Sequence, residues 1–304
     1  MKKLIAAFLA LCLACSMAAC AGGTTSESST ASTSSTSSES SVAEESVASE
    51  EPSSSDVSEA SSEGSDTAEA TVLSHEEYMA AELDTEVTIQ AYVQAKQSYY
   101  AEQGTATVYL QDQDGAYFAY DMACTQEEYD AMTEGTCIQV TGFKSEWSGE
   151  IEIMDGQLDQ IVEGDTFVAE PLDATELLGT DELEQHQKEK VSFTGLTVAP
   201  STDANGNEAA FLYNDDGSGT QGDDVYFNVS YNGQTYSFVV ESYLCGSDTE
   251  VYKAVEALEV GQTIDCEGFL YWYEGANPHI TSVTVAASVS YTHLRAHETR
   301  SNLV

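Results

Sequence analysis

Two nine-residue runs carry the same rhythm of apolar and polar positions. Gly135-Thr-Cys-Ile-Gln-Val-Thr-Gly-Phe143 returns as Gly261-Gln-Thr-Ile-Asp-Cys-Glu-Gly-Phe269. Alternation at period two predicts a strand with one buried face, and each run sits in the same surroundings. Before the first lies Ser74-His-Glu-Glu77, a capping-box pattern that predicts a short helix through Leu83. Val87–Val93 then alternates as a half-buried strand, followed by a loop from Gln97 to Gly104. Thr107–Gln111 and Ala116–Met122 flank Asp114-Gly115, a pair suited to a tight hairpin. Thr125–Met132 fits one or two helical turns, the repeated run follows, and Glu150–Met154 opens a last strand.

The series restarts after a connector containing Pro171 and Leu172–Leu178. Asp181–Gln187 is expected as a lead-in helix and Val191–Val198 as a strand whose apolar phase shifts at Gly195, as a β-bulge requires. Val225–Tyr231 and Thr235–Tyr243 flank Asn232-Gly233, a strong hairpin signal. Thr249–Leu258 places Val251, Val255 and Leu258 on one helical face. The second run and Ile280–Val285 close the series. Against the first copy, the second carries an insertion, Pro200 to Asp224, between its first two strands.

Strand, strand, strand, helix, strand, strand resembles the OB-fold. The resemblance covers residues 74–162 and then the second copy, and it implies two tandem five-stranded barrels in an all-β chain with short helices. A pair of immunoglobulin-like sandwiches is the alternative. The helix between the third and fourth strands of both copies argues against it.

Both ends differ from this middle. Residues 1–19 have a basic start at Lys2 and Lys3 and an apolar stretch too short to span a bilayer. They end in Met17-Ala18-Ala19-Cys20, which resembles the lipobox of bacterial lipoproteins. That resemblance implies lipidation of Cys20 and anchoring to the outer face of the bacterial cytoplasmic membrane. The Ser/Thr/Glu-rich segment that follows, within residues 20–69, lacks aromatics and is expected to be a disordered tether. Its flexible-coil reach is roughly 40 Å. Val289-Ser-Tyr-Thr-His-Leu-Arg-Ala-His-Glu-Thr299 is similar to a translated sequencing adapter, and both arginines of the chain, Arg295 and Arg300, fall beyond residue 288. Residues 289–304 are therefore treated as non-native. The expected domains are 70–168 and 169–288.

Charge narrows the function classes. The chain has a formal net charge of −44, and residues 70–288 contain 41 acidic residues, five lysines and no arginine. Nucleic-acid affinity draws on cationic side chains that displace phosphate counterions, so no nucleic-acid partner is expected. The cysteines Cys124, Cys137, Cys245 and Cys266 are candidates for bridges 124–137 and 245–266 in an oxidising compartment. Strand phase places Cys266 on the core face, however, and Cys137 on the other. Tyr99, Tyr100, Trp147, Tyr213, Tyr271, Trp272 and Tyr273 lie in loops where an OB barrel would hold a ligand. In the insertion, Asp203, Asn205, Asn207, Asp215, Asp216, Asp223 and Asp224 offer the oxygen ligands that calcium prefers. The EF-hand pattern fails there, and a solvated loop is the simpler account; no other cofactor is expected. His75, His186 and His279 are expected at the surface. With no Gly-x-Ser-x-Gly and no phosphate loop, a hydrolase is left only with an unspecified carboxylate pair. These features lead to the expectation of a non-enzymatic surface lipoprotein that binds a glycan or protein through aromatic loops. A structural component of the envelope is the rival.

Overall fold

The computed structural model describes residues 71–164 and 166–286. The lipobox with Cys20, the tether and the adapter-like tail lie outside the described residues.

The first helix, α1 (His75–Ala80), leads into β1 (Glu86–Lys96), β2 (Thr105–Gln111) and β3 (Ala116–Ala123). Helix α2 (Gln126–Ala131) then crosses to β4 (Cys137–Trp147) and β5 (Glu150–Val162). The five strands close in the order β1-β2-β3-β5-β4, antiparallel except for β3 with β5. The second copy repeats this with β6 (Lys190–Ala199), β7 (Val225–Tyr231), β8 (Gln234–Val240), helix α3 (Glu250–Glu256), β9 (Thr263–Phe269) and β10 (His279–Val285). Here β8 pairs parallel to β10 and β7 returns to β6, so this sheet closes in the same order. The protein is a tandem pair of OB-like barrels.

Local chemistry explains where elements start and stop. Ser74 and Glu77 form the expected capping box, and Thr125 with Glu128 forms a second one. Helix α1 ends three residues before Leu83. The Lys144 ammonium donates to the carbonyls of Met79 (2.7 Å) and Ala81 (2.8 Å), and Asp84 takes a positive φ of 61°. The lead-in of the second copy forms only a 3-10 turn, Leu183–His186, with no side-chain cap at its start. At the hairpins, the Asp112 carboxylate accepts the Asp114 and Gly115 N–H groups at 2.7 and 2.9 Å. Asn232 and Gly233 are both left-handed, as a two-residue turn of this twist demands. Gly195 has φ 67° and donates its N–H to Asp265 at 2.7 Å, at a shift in the β6–β9 register.

The repeated run now has a steric meaning. Its first glycine, Gly135 or Gly261, is left-handed at φ 85° or 91°. Its second, Gly142 or Gly268, lies where the last strand bulges against it. A Cβ on Gly142 would stand 2.6 Å from Ile153 and 2.9 Å from the Met154 carbonyl oxygen; on Gly268 it would stand 2.1 Å from the His279 carbonyl oxygen. The isoleucine and the next alternate residue, Ile138 and Val140 or Ile264 and Cys266, face inward into each core.

A third apolar cluster belongs to neither barrel alone. Tyr109 and Phe118 from the first meet Phe269 from the second, with Ala95, Leu244 and Tyr271 packed around them. Gly268→Ala is expected to destabilise the protein by about 2–3 kcal/mol through overpacking against backbone. Thermal unfolding would show this as a lowered Tm, whereas Gly246→Ala, where φ is not left-handed and the nearest atom is a side-chain oxygen of Asp248 at 3.4 Å, should cost less.

Candidate functional site

The seam between the barrels is built from rings and shared hydrogen bonds. Tyr109 stacks on Phe269 with centroids 4.6 Å apart, and its hydroxyl lies 2.5 Å from Nδ1 of His279. Burial pushes the His279 imidazole down to about 3, so the ring is neutral. We assign the hydroxyl as donor and Nδ1 as acceptor. Phe118 meets Tyr271 edge-on at 5.4 Å. At one side, Gln187 accepts from the Ile151 N–H (3.2 Å) and donates to the Gly149 carbonyl (2.7 Å). Nearby the Glu274 N–H reaches the Ser148 carbonyl (2.8 Å). At another, the Ser98 N–H donates to the Tyr243 carbonyl (2.8 Å), and the Lys190 N–H to Gln111 (2.9 Å).

Three charged side chains are sealed into the same seam. The Lys188 ammonium lies 4.0 Å from the Glu150 carboxylate, both buried. Neither Glu150 oxygen has a hydrogen-bond partner among the described residues. Burial pushes the Glu150 carboxyl up and the Lys188 ammonium down, each opposed by their mutual attraction. Burial likewise raises Glu152 to about 7, against the pull of Lys188. The folded seam therefore holds protons near neutral pH that exposed carboxylates would have released.

Beside the seam opens a cleft of about 990 Å³. The first barrel contributes Tyr99, Tyr100, Phe118 and Tyr120, and the second Tyr226, Tyr243, Tyr271 and Tyr273. Five carboxylates, Asp121, Asp215, Asp224, Glu241 and Glu274, share the walls, and no Lys or Arg among the described residues lines them. Glu241 is pushed up to about 7, chiefly by burial and then by Asp224 beside it.

The residues singled out in the sequence divide. Tyr99, Tyr100, Tyr271 and Tyr273 reach the cleft. Trp147 stands exposed opposite Glu150 at the β4–β5 turn, outside the cleft lining. Trp272 packs against the second core and lies close to Gly149, and Tyr213 packs there too while donating to Glu256 at 2.6 Å. Phe118, Tyr120, Tyr226 and Tyr243 were missed, because they lie in or next to strands whose outward faces the linear pattern leaves unassigned. His279, expected at the surface, is buried in the seam instead.

The calcium candidates do not converge. Asp203 accepts from the N–H groups of Asn205 and Asn207 (2.8 Å each) and from the Asn207 amide (2.9 Å). Asp216 takes the Ser218 N–H (2.8 Å), Asp223 the Thr220 N–H (2.8 Å), and Asp224 the Ser242 N–H (2.8 Å). These carboxylates are occupied in shaping turns, Asp215 and Asp224 face the cleft, and no grouping suited to a metal ion occurs among the described residues. The candidate cysteine bridges are not formed either: Cys124, Cys137, Cys245 and Cys266 are free, buried thiols. Cys124 fills the first core and Cys245 and Cys266 the second, whereas Cys137 sits outside the core cluster beside Tyr92 and Val162.

No family model matches the chain, and no curated protein matches it. Solved structures do. One is a Replication Protein A heterotrimer bound to ssDNA, at 11% identity and TM-score 0.25, with 67% of this chain covering 50% of that one. Another is the Ifi202 HINa domain in complex with 20bp dsDNA, at 13% identity and TM-score 0.29, covering 67% of this chain and 96% of that one. A third is a murine DNA binding protein bound with ds DNA, at 12% identity and TM-score 0.30, covering 65% and 97%. Two expectations are corrected here. The glycan-or-protein ligand and the exclusion of nucleic acid are both set aside, because these similar structures hold DNA. The physical reason is that ring faces stack on bases as readily as on sugars. At such low similarity the likeness assigns no ligand to this chain.

The seam generates a pH prediction. Glu152 has a folded pKa above its unfolded value, so its contribution to stability is complete below about pH 4 and is lost as pH rises through about 7. Glu152→Gln is expected to flatten the fall in unfolding free energy between pH 5 and pH 8 by on the order of 1–3 kcal/mol. Urea titrations at the two pH values would measure it.

Proposed function

We propose that this protein is a non-enzymatic binding module that takes a small organic ligand in the cleft between its two OB-like barrels. One observation carries the reading: eight aromatic side chains, four from each barrel, line a single cleft. A cleft of that volume accommodates a drug-sized molecule, and the rings offer flat, apolar faces that order little on binding. Lipidation of Cys20 and the tether would hold the module away from the outer face of the bacterial cytoplasmic membrane; the lipobox-like Met17-Ala-Ala-Cys20 supports this part. Residues 289–304 take no part in it.

Calorimetric titration with a panel of ring-bearing amines, alcohols and nucleosides tests the cleft. Tyr226→Ala and Tyr273→Ala are each expected to weaken the best binder about tenfold, the value of one aromatic contact. Affinity untouched by both substitutions would rule out the cleft. A single-stranded oligonucleotide titrated in parallel, lost with the same tyrosines, would identify base faces as the stacking partner. For the anchor, Cys20→Ser is expected to abolish palmitate labelling and move the protein from the membrane to the soluble fraction.

A further inference from the structure

Resting on that reading of the cleft, we propose that its ligand is an organic cation, an ammonium or quaternary ammonium group seated on tyrosine faces between Glu241 and Asp224. These two carboxylates are brought together by the second barrel's hairpin. Val225 pairs with Val240, so Asp224 just before β7 and Glu241 just after β8 flank the same end of the two strands. Asp224 accepts from the Ser242 N–H and hydroxyl at 2.8 and 2.7 Å, and Glu241 from the Tyr243 and Leu244 N–H groups at 3.2 and 2.8 Å. Their positions are therefore held by backbone.

Among the described residues no protein cation answers this charge. None of the five cleft carboxylates forms an ion pair among the described residues, and His279, the one imidazole lining the cleft, is neutral. Like charges side by side in a partly desolvated wall are costly unless one takes a proton or a cation arrives. The Tyr226 hydroxyl is itself held up, to about 12, by burial first and then by Asp224, Asp215 and Glu241. The rings consequently stay neutral, with negative faces that attract an ammonium more strongly as water is excluded. A quaternary ammonium fits because its methyl groups need no hydrogen-bond acceptor and its charge needs only the carboxylates.

Proton linkage makes this testable. Glu241 is faced by Asp224 and Tyr226 from β7 and its approach, by Cys245 on its own loop, and by Tyr109 across the seam. Its raised pKa means that an arriving cation displaces a proton near neutrality. With the full-length protein, calorimetry would compare choline, spermidine and benzyltrimethylammonium with 3,3-dimethylbutan-1-ol, the uncharged isostere of choline. At least one cation is expected to bind, with about tenfold gain from pH 6 to pH 8 as Glu241 ionises; the alcohol is expected to bind at least tenfold more weakly than choline if choline is that cation. Glu241→Gln keeps an acceptor for the two N–H groups and should both weaken the cation at pH 8 and flatten the pH profile.

The outcomes separate the two ideas. If the alcohol binds as well as choline, with no pH dependence and with sensitivity to Tyr273→Ala, the cation class is overturned and the cleft stands. If all three cations fail to bind at millimolar concentration, the cation class is likewise overturned. If binding ignores Tyr226→Ala and Tyr273→Ala, the cleft reading falls with it.

Discussion

Everything functional in this protein depends on the stack of Tyr109 on Phe269, capped by the hydrogen bond from Tyr109 to His279. Two OB-like barrels on a short connector could orient in many ways. The seam removes that freedom by burying three large rings and a neutral imidazole between the barrels. Removing such area from water favours association by roughly 25 cal/mol per Å², and the ring geometry adds direction. The cleft opens beside this seam, where rings carried by β3 and β7 line its walls.

The same seam carries a cost in buried charge. Among the described residues Glu150 has no hydrogen-bond partner and only a 4.0 Å approach to Lys188, an arrangement that gains less than its desolvation loses unless protons redistribute. Burial shifts Glu150, Glu152 and Lys188 toward their neutral forms. Stability is thus linked to pH through groups that do not line the cleft. Glu241, on the cleft wall, titrates in the same range for a similar reason: burial, with a second carboxylate beside it.

Much of the fold was legible from alternation, turn pairs and caps. Asn232-Gly233, Ser74 with Glu77, and the bulge at Gly195 each have a local cause, and each took the expected shape. The hairpin at Asp114-Gly115 forms too, but neither residue is left-handed, and the Asp112 carboxylate closes the turn instead. The helix ends and the second lead-in were less legible. Lys144 terminates α1 from a strand more than sixty residues away, and the 3-10 turn at Leu183 precedes a left-handed Lys188. Of the candidate site, the loop tyrosines were found and Tyr120 and Tyr226 were not. An outward strand residue has the same linear signature whether it meets solvent or a neighbouring barrel.

The repeated Gly-x-x-Ile-x-(Val/Cys)-x-Gly-Phe run determined by itself that there are two barrels of one kind, because strand period, turn chemistry and caps act within a few residues. Even its second glycine was visible, although the reason, a bulged last strand pressed against Gly142 and Gly268, needed the folded backbone. Only the tertiary structure decided that Phe269, the last residue of that run, leaves its own barrel to meet Tyr109, that His279 is buried, and that tyrosines from both copies line one acidic cleft. Those are contacts between surfaces far apart in the chain, and no periodicity encodes which outward face will find which.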